Sequence, residues 1–101
     1  MNYNKIAFDF SPAPIVVLSY RHMMEMNAAF ANLFGYERGE LIEQSIVKIF
    51  PSLEDYEKVG NDALQSLLLK KSHYYSDQRF MQHKNGEIFW THTHGQTLTP
   101  E

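Results

Sequence analysis

His92 and His94 are the side chains whose types and spacing come closest to chemistry in this chain. On an extended strand, residues two apart face one side, so the two imidazoles could supply two metal ligands. A third ligand would have to come from elsewhere, and His22 and His83 offer it by residue type only. No carboxylate lies beside the pair in sequence, and the alternative is a surface or interface pair next to Trp90. His22, His73 and His83, with several methionines, have the residue types that ligate haem iron. Methionines at strand spacing are more often core than ligands.

Catalytic groupings are weaker. Asp77 with Arg79, or Glu54, Asp55 and Glu57, have the types needed for general acid–base work. The three acids read instead as solvent-facing charges in the first turn of a helix. Ser11, Ser19 and Ser76 have no visible His/Asp partners. No phosphate loop, zinc-protease motif or nucleophile elbow is present. The chain has no cysteine, which removes disulfides, thiolate metal sites and thiol nucleophiles. These observations argue against an enzyme.

Composition narrows the class further. The length of 101 residues fits one domain. Nine Lys plus Arg stand against twelve Asp plus Glu, and the charges are scattered, so no nucleic-acid contact is expected from this domain. No apolar stretch approaches the length of a membrane helix, and no signal peptide is visible, so no membrane partner and a cytoplasmic location are expected.

The elements that must position these residues follow from pattern. Lys5 to Phe10 reads as a short helix or turn, ended by Ser11-Pro12-Ala13-Pro14. Ile15 to Tyr20 is a β-branched apolar run of strand length. Arg21-His22 is expected to turn the chain into a second strand, Met23 to Met26. Asn27 is an N-cap for a helix from Ala28 to Phe34, whose Phe30, Leu33 and Phe34 share a face. Gly35 supplies its left-handed stop. Glu37 to Ile42 makes one more helical turn and Ser45 to Ile49 another, before Pro51. Ser52 caps a long helix from Leu53 to about Lys70, which Gly60 weakens by about 1 kcal/mol relative to alanine. His73 to His83 and Glu87 to Leu98 are two strands joined at Asn85-Gly86, where both residues tolerate positive φ. On the returning strand Ile88, Trp90, His92 and His94 point one way, and Phe89, Thr91, Thr93 and Gly95 the other.

At these landmarks the chain resembles the PAS sensory domain family. The resemblance rests on Phe10-Ser11-Pro12-Ala13-Pro14-Ile15 before the first strand, Asn27-Ala28-Ala29-Phe30 opening a helix, and Gly35-Tyr36 followed by Glu40-Leu41. Pro51 before the long helix and Lys84-Asn85-Gly86-Glu87-Ile88-Phe89-Trp90 complete it, over nearly the whole chain. The implied fold is α+β, one antiparallel sheet as a palm with helices on one face as fingers. Three departures accompany the match. The stretch Gln44-Ser45-Ile46-Val47-Lys48 lacks the reactive cysteine of the family's flavin photosensors. The long helix lacks the histidine that often ligates haem, so no cofactor is expected, with haem or a non-covalent flavin as the exceptions. The family's final strand is missing after Glu101, which implies a piece of a longer protein with an output domain beyond it.

The resemblance and the strand alternation together imply a pocket walled by Val17, Phe30, Leu33, Leu41, Ile46, Ile49, Val59, Ala63, Met81, Phe89, Thr91 and Thr93. Most of these also suit a filled core, and only the two threonines offer polar handles. Ile88, Trp90, His92 and His94 form the outer face, to be covered by Tyr3 to Phe10 or by a second copy in a homodimer. The implied function is a bacterial-style signal-input domain that binds an unknown small molecule or mediates dimerisation. It would relay to an output domain in the same chain: a DNA-binding domain, a histidine kinase or a cyclic-dinucleotide enzyme. Its rivals are a ligand-free docking module and a haem or metal redox sensor.

Overall fold

A computed structural model describes residues 3–69 and 74–96. Helix α1 (Tyr3–Phe10) precedes strands β1 (Val16–Ser19) and β2 (His22–Met26). Helices α2 (Ala28–Phe34) and α3 (Arg38–Leu41) follow, then a 3₁₀ turn at Ile46–Ile49. Helix α4 (Leu53–Leu69) leads to strands β3 (Tyr74–Gln82) and β4 (Ile88–Gln96). The α+β order matches the sequence expectation. The expected positions Lys70, His73 and Leu98 lie outside the described residues.

The first hairpin turns one residue earlier than expected. Tyr20 and Arg21 both take positive φ, 51° and 64°, and His22 already belongs to β2. Two left-handed residues match the twist of a two-residue hairpin, even without glycine. A bulge in β2 then decides what is buried. Val17 pairs with Glu25 and Leu18 with Met23, leaving Met24 as the extra residue. Met23 and Met26, an odd number apart, are therefore both buried, at 0% and 1% exposure, while Met24 is exposed. Beyond β2, the main chain of 43–46 takes up its outer edge, through Met23 N–H to Gln44 O at 2.8 Å and Glu43 N–H to Met23 O at 2.6 Å.

Asn27 joins this hairpin to α2. Its side-chain oxygen accepts from Phe30 N–H and from Ile15 N–H, both at 3.0 Å, and its amide donates to Ala13 O at 2.8 Å. One buried amide thus caps a helix and fixes the segment before β1. Gly35 ends α2 at φ 78°, with the His83 ring on the side where a Cβ would stand.

The core is one cluster containing Met23, Met26, Phe30, Ala31, Phe34, Leu41, Ile49, Phe50 and Met81. Partly buried Val16, Ile46, Tyr56, Val59 and Phe89 pack against it. The single sheet of the sequence reading is not what the described residues form: β1–β2 and β3–β4 are separate two-stranded sheets. Strands join only where backbone edges come within hydrogen-bonding distance. Here the hairpins meet through side chains and α2 instead: Phe34 packs on Phe89 with centroids 5.6 Å apart, and Phe34 O accepts from Lys84 N–H at 2.9 Å. Among the described residues, no helix is long and apolar enough to cross a membrane.

Candidate functional site

The β3–β4 hairpin places its two faces in different surroundings. Gly86 takes φ 95°, and Asn85 instead accepts from Glu87 N–H through its side chain at 2.8 Å. His83 N–H donates to Glu87 O at 2.7 Å, closing a three-residue loop rather than a two-residue one. That loop length sets the register: Met81 opposes Phe89, Phe80 opposes Trp90, and Arg79 opposes Thr91. A one-residue slip would exchange the faces.

The inner face carries Asp77, Arg79 and Met81 opposite Thr93, Thr91 and Phe89. Met81 is buried and Phe89 half-buried against the core. Further along, the face turns polar. The Arg79 guanidinium pairs with the Asp77 carboxylate, with side-chain exposures of 14% and 21%. The Thr91 hydroxyl donates to Arg79 O at 3.0 Å. Arg79 also lies over the Phe50 ring, 5.7 Å from its centroid. In the sequence alone Asp77 and Arg79 are only weak catalytic candidates. The signal for their place was available, because any strand that turns Met81 inward also turns Arg79 and Asp77 inward.

Of the expected wall, Phe30, Leu41, Ile49 and Met81 lie in the buried cluster, with Ile46, Val59 and Phe89 against it. Thr91 and Ala63 are half-buried. Three positions depart. Leu33 is 41% exposed, because α2 turns Ala31 inward with Phe30 and Phe34. Val16, opposite the buried Met26, packs on the core in place of Val17, which pairs with the exposed Glu25. Thr93 is exposed at the outer end of the inner face.

The outer face carries the expected Ile88, Trp90, His92 and His94, and Phe80, which sequence reading missed. Phe80, Ile88 and Trp90 are 53%, 52% and 56% exposed. Of the two covers expected, the Tyr3 to Phe10 segment does not serve: α1 packs beside α2, around Met26, Ala28 and Ala31. The His92 and His94 rings stack 4.4 Å apart, and Ser76 Oγ lies 3.2 Å from His92 Nε2. His22 Nδ1 sits 3.1 Å from Tyr20 O, and His83 Nδ1 accepts from Asn85 N–H at 3.1 Å. No cluster of three metal-ligating side chains occurs among the described residues.

The loop that sets the register is tied to the helices by charge. Lys84 Nζ lies 2.7 Å from Glu40 Oε2, while Glu40 Oε1 accepts from Glu37 N–H at 2.8 Å. The Lys84 hydrogen bond, helped by the Glu37 amide, holds the Glu40 carboxyl below its usual range, and the same bond raises the Lys84 ammonium.

Known proteins share this fold. The chain is 28% identical over 94 residues to the sensor protein TdiS of Thauera aromatica, covering 93% of this chain but 17% of that protein. The PAS domain of a LuxR-family transcriptional regulator from Burkholderia thailandensis, solved in complex with ethanol, superposes with a TM-score of 0.87. It is 30% identical, over 98% of this chain and 85% of that one. A PAS domain from Colwellia psychrerythraea, 22% identical, shares the fold with a TM-score of 0.77, over 87% of this chain and 73% of that one. Residues 23–101 match the family described as the PAS fold, and with the β3–β4 hairpin, α4 and α2 all inside that span, the chain belongs to that family.

Proposed function

We infer that this domain is the signal-input module of a larger regulatory protein. A small molecule held against the inner face of β3–β4 biases how the outer face engages a second copy of the chain. The observation that carries this reading is the split of one hairpin: Met81 and Phe89 enter the core, while Phe80 and Trp90, one step along each strand, stay more than half exposed. Anything that shifts the inner row moves the outer row with it, because both share a backbone. A ligand drives that shift only through its different affinity for the two arrangements.

Thr91, with the Asp77–Arg79 pair, supplies polar groups to orient such a ligand beside the apolar Phe89. Support comes from the relatives: one is a sensor protein, and the Burkholderia regulator's domain holds the small molecule ethanol. The output domain belongs to the same chain and is a DNA-binding domain, a histidine kinase or a cyclic-dinucleotide enzyme; any DNA contact lies there. The reading assigns this domain to the cytoplasm, with no catalysis, haem, flavin or metal.

Trp90 is the chain's sole tryptophan, so its fluorescence reports the outer face. Compounds that copurify with the full chain are identified by mass spectrometry, then titrated back while emission and sedimentation are followed. A saturable change in Trp90 emission with a change in association is expected. An absorption spectrum with a Soret or flavin band, or no response to any copurified compound, would overturn the reading.

The second reading is a ligand-free dimerisation or docking module. It is favoured by the contiguous cluster from Met23 to Met81, which fills much of the expected pocket wall with packed side chains. A ligand-independent dimer with no copurifying molecule is its expected signature.

A further inference from the structure

The turn of the first hairpin delivers an arginine to the side of α4. The Arg21 guanidinium stands 3.7 Å from the centroid of the Tyr56 ring and 6.0 Å from that of Phe50. Its Nη1 occupies the place that a side chain at Gly60 would need. The glycine in the middle of α4 therefore opens a seat for this cation. Arg21 makes no ion pair or side-chain hydrogen bond to any described residue. Beside it lies an open cleft lined by Arg21, Glu57, Gly60, Asn61 and Leu64, with a volume of about 560 Å³.

A guanidinium presents its N–H donors as a planar fork that matches a carboxylate. An aromatic stack holds that fork in place at little further cost in side-chain entropy. The carboxamide of Asn61 adds a donor on the same rim, and Leu64, 55% exposed, adds apolar surface. Glu57 opposes excess negative charge, which favours a monoanion over a dianion. We propose that the cleft between the β1–β2 turn and α4 binds a small monocarboxylate with a short apolar body, with Arg21 as the anion-binding residue. This cleft is distinct from the inner face of β3–β4, so the proposal goes beyond the sensing reading above and adds a second small-molecule site to the domain.

The test uses the full chain at constant ionic strength, with sodium butyrate as probe and butyramide and succinate as comparisons. Butyrate is expected to raise the melting temperature saturably, butyramide to leave it unchanged, and succinate to act more weakly. R21Q is expected to abolish the butyrate response, and R21K to weaken affinity about tenfold, because an ammonium lacks the fork. G60A is expected to displace the guanidinium and weaken butyrate affinity about tenfold, while its circular dichroism reports an intact helix. No response of the wild type to butyrate, an equal response to butyramide, or an unchanged response in a folded R21Q or R21K would overturn the site. If butyrate fails while a copurified compound still changes Trp90 emission, the carboxylate site falls and the sensing reading stands. If both fail, both fall.

Discussion

The rings of Phe80 and Trp90 meet edge to face on the outer side of β3–β4, with centroids 4.9 Å apart and planes at 77°. Directly opposed across the strands, they form a rigid apolar patch that is more than half exposed. Large aromatic side chains of this kind dominate interfaces when a partner covers them. In the proposed homodimer, Trp90→Ala is therefore expected to weaken self-association by about 30-fold, the size of an interface hot spot of about 2 kcal/mol. Phe80→Ala should weaken it in the same direction. An unaltered sedimentation profile in both variants would remove the outer face as the interface.

Asn27→Ala is expected to cost about 2–3 kcal/mol, from the lost helix cap and from buried groups left without partners. Three hydrogen bonds end on this side chain, and the residue is 1% exposed. Asn27→Ser should lose less, because a hydroxyl still caps Phe30 N–H but cannot reach both Ile15 and Ala13. Urea denaturation of the two variants measures the order, and equal losses would mean that the bonds to Ile15 and Ala13, not the cap, carry the cost.

Gly35 combines a left-handed backbone with a crowded neighbour. Gly35→Val is expected to destabilise by about 2–3 kcal/mol, since a β-branched residue resists positive φ and the His83 ring must move. Gly35→Ala separates the two causes. If His83 supplies part of its cost, His83→Ala in the same chain should relieve that part and leave the backbone part. Additive losses in the double variant would place the whole cost in the backbone.

The fold was legible because its signals were local: the Asn27 cap, the Gly35 stop, the Ser52 cap that accepts from Asp55 N–H at 3.1 Å, and the period of α4. The faces of β4 were legible too, since alternation separates Phe89 from Trp90 once one of them is known to be buried. The run Ile15-Val16-Val17-Leu18 gave no such contrast, so alternation had no means to choose Val16 over Val17. The bulge at Met24 was hidden for the same reason, because three methionines look alike in sequence. Arg21 over Tyr56, with Gly60 making room, joins positions far apart in the chain. Propensity sees there only a glycine that weakens a helix.

The Lys84–Glu40 contact fixes how stability should vary with pH. The Glu40 carboxyl is lowered from 4.5, first by the Lys84 hydrogen bond and then by the Glu37 amide. Its contribution is present above the unfolded value and lost as pH falls through the lowered folded value. Lys84 is raised from 10.5, first by the Glu40 hydrogen bond, so its contribution is present below that value and lost as pH rises through the higher folded one. Glu40→Gln keeps an acceptor for Glu37 N–H and removes the charge. It should melt lower than the wild type at neutral pH, and the gap should close as pH falls through the lowered folded value and Glu40 becomes protonated. About 1 M salt should narrow the neutral-pH gap, since both partners are solvent-exposed. A gap that persists unchanged into acid would show that the variant disturbs packing at the Lys84 loop rather than this charge pair.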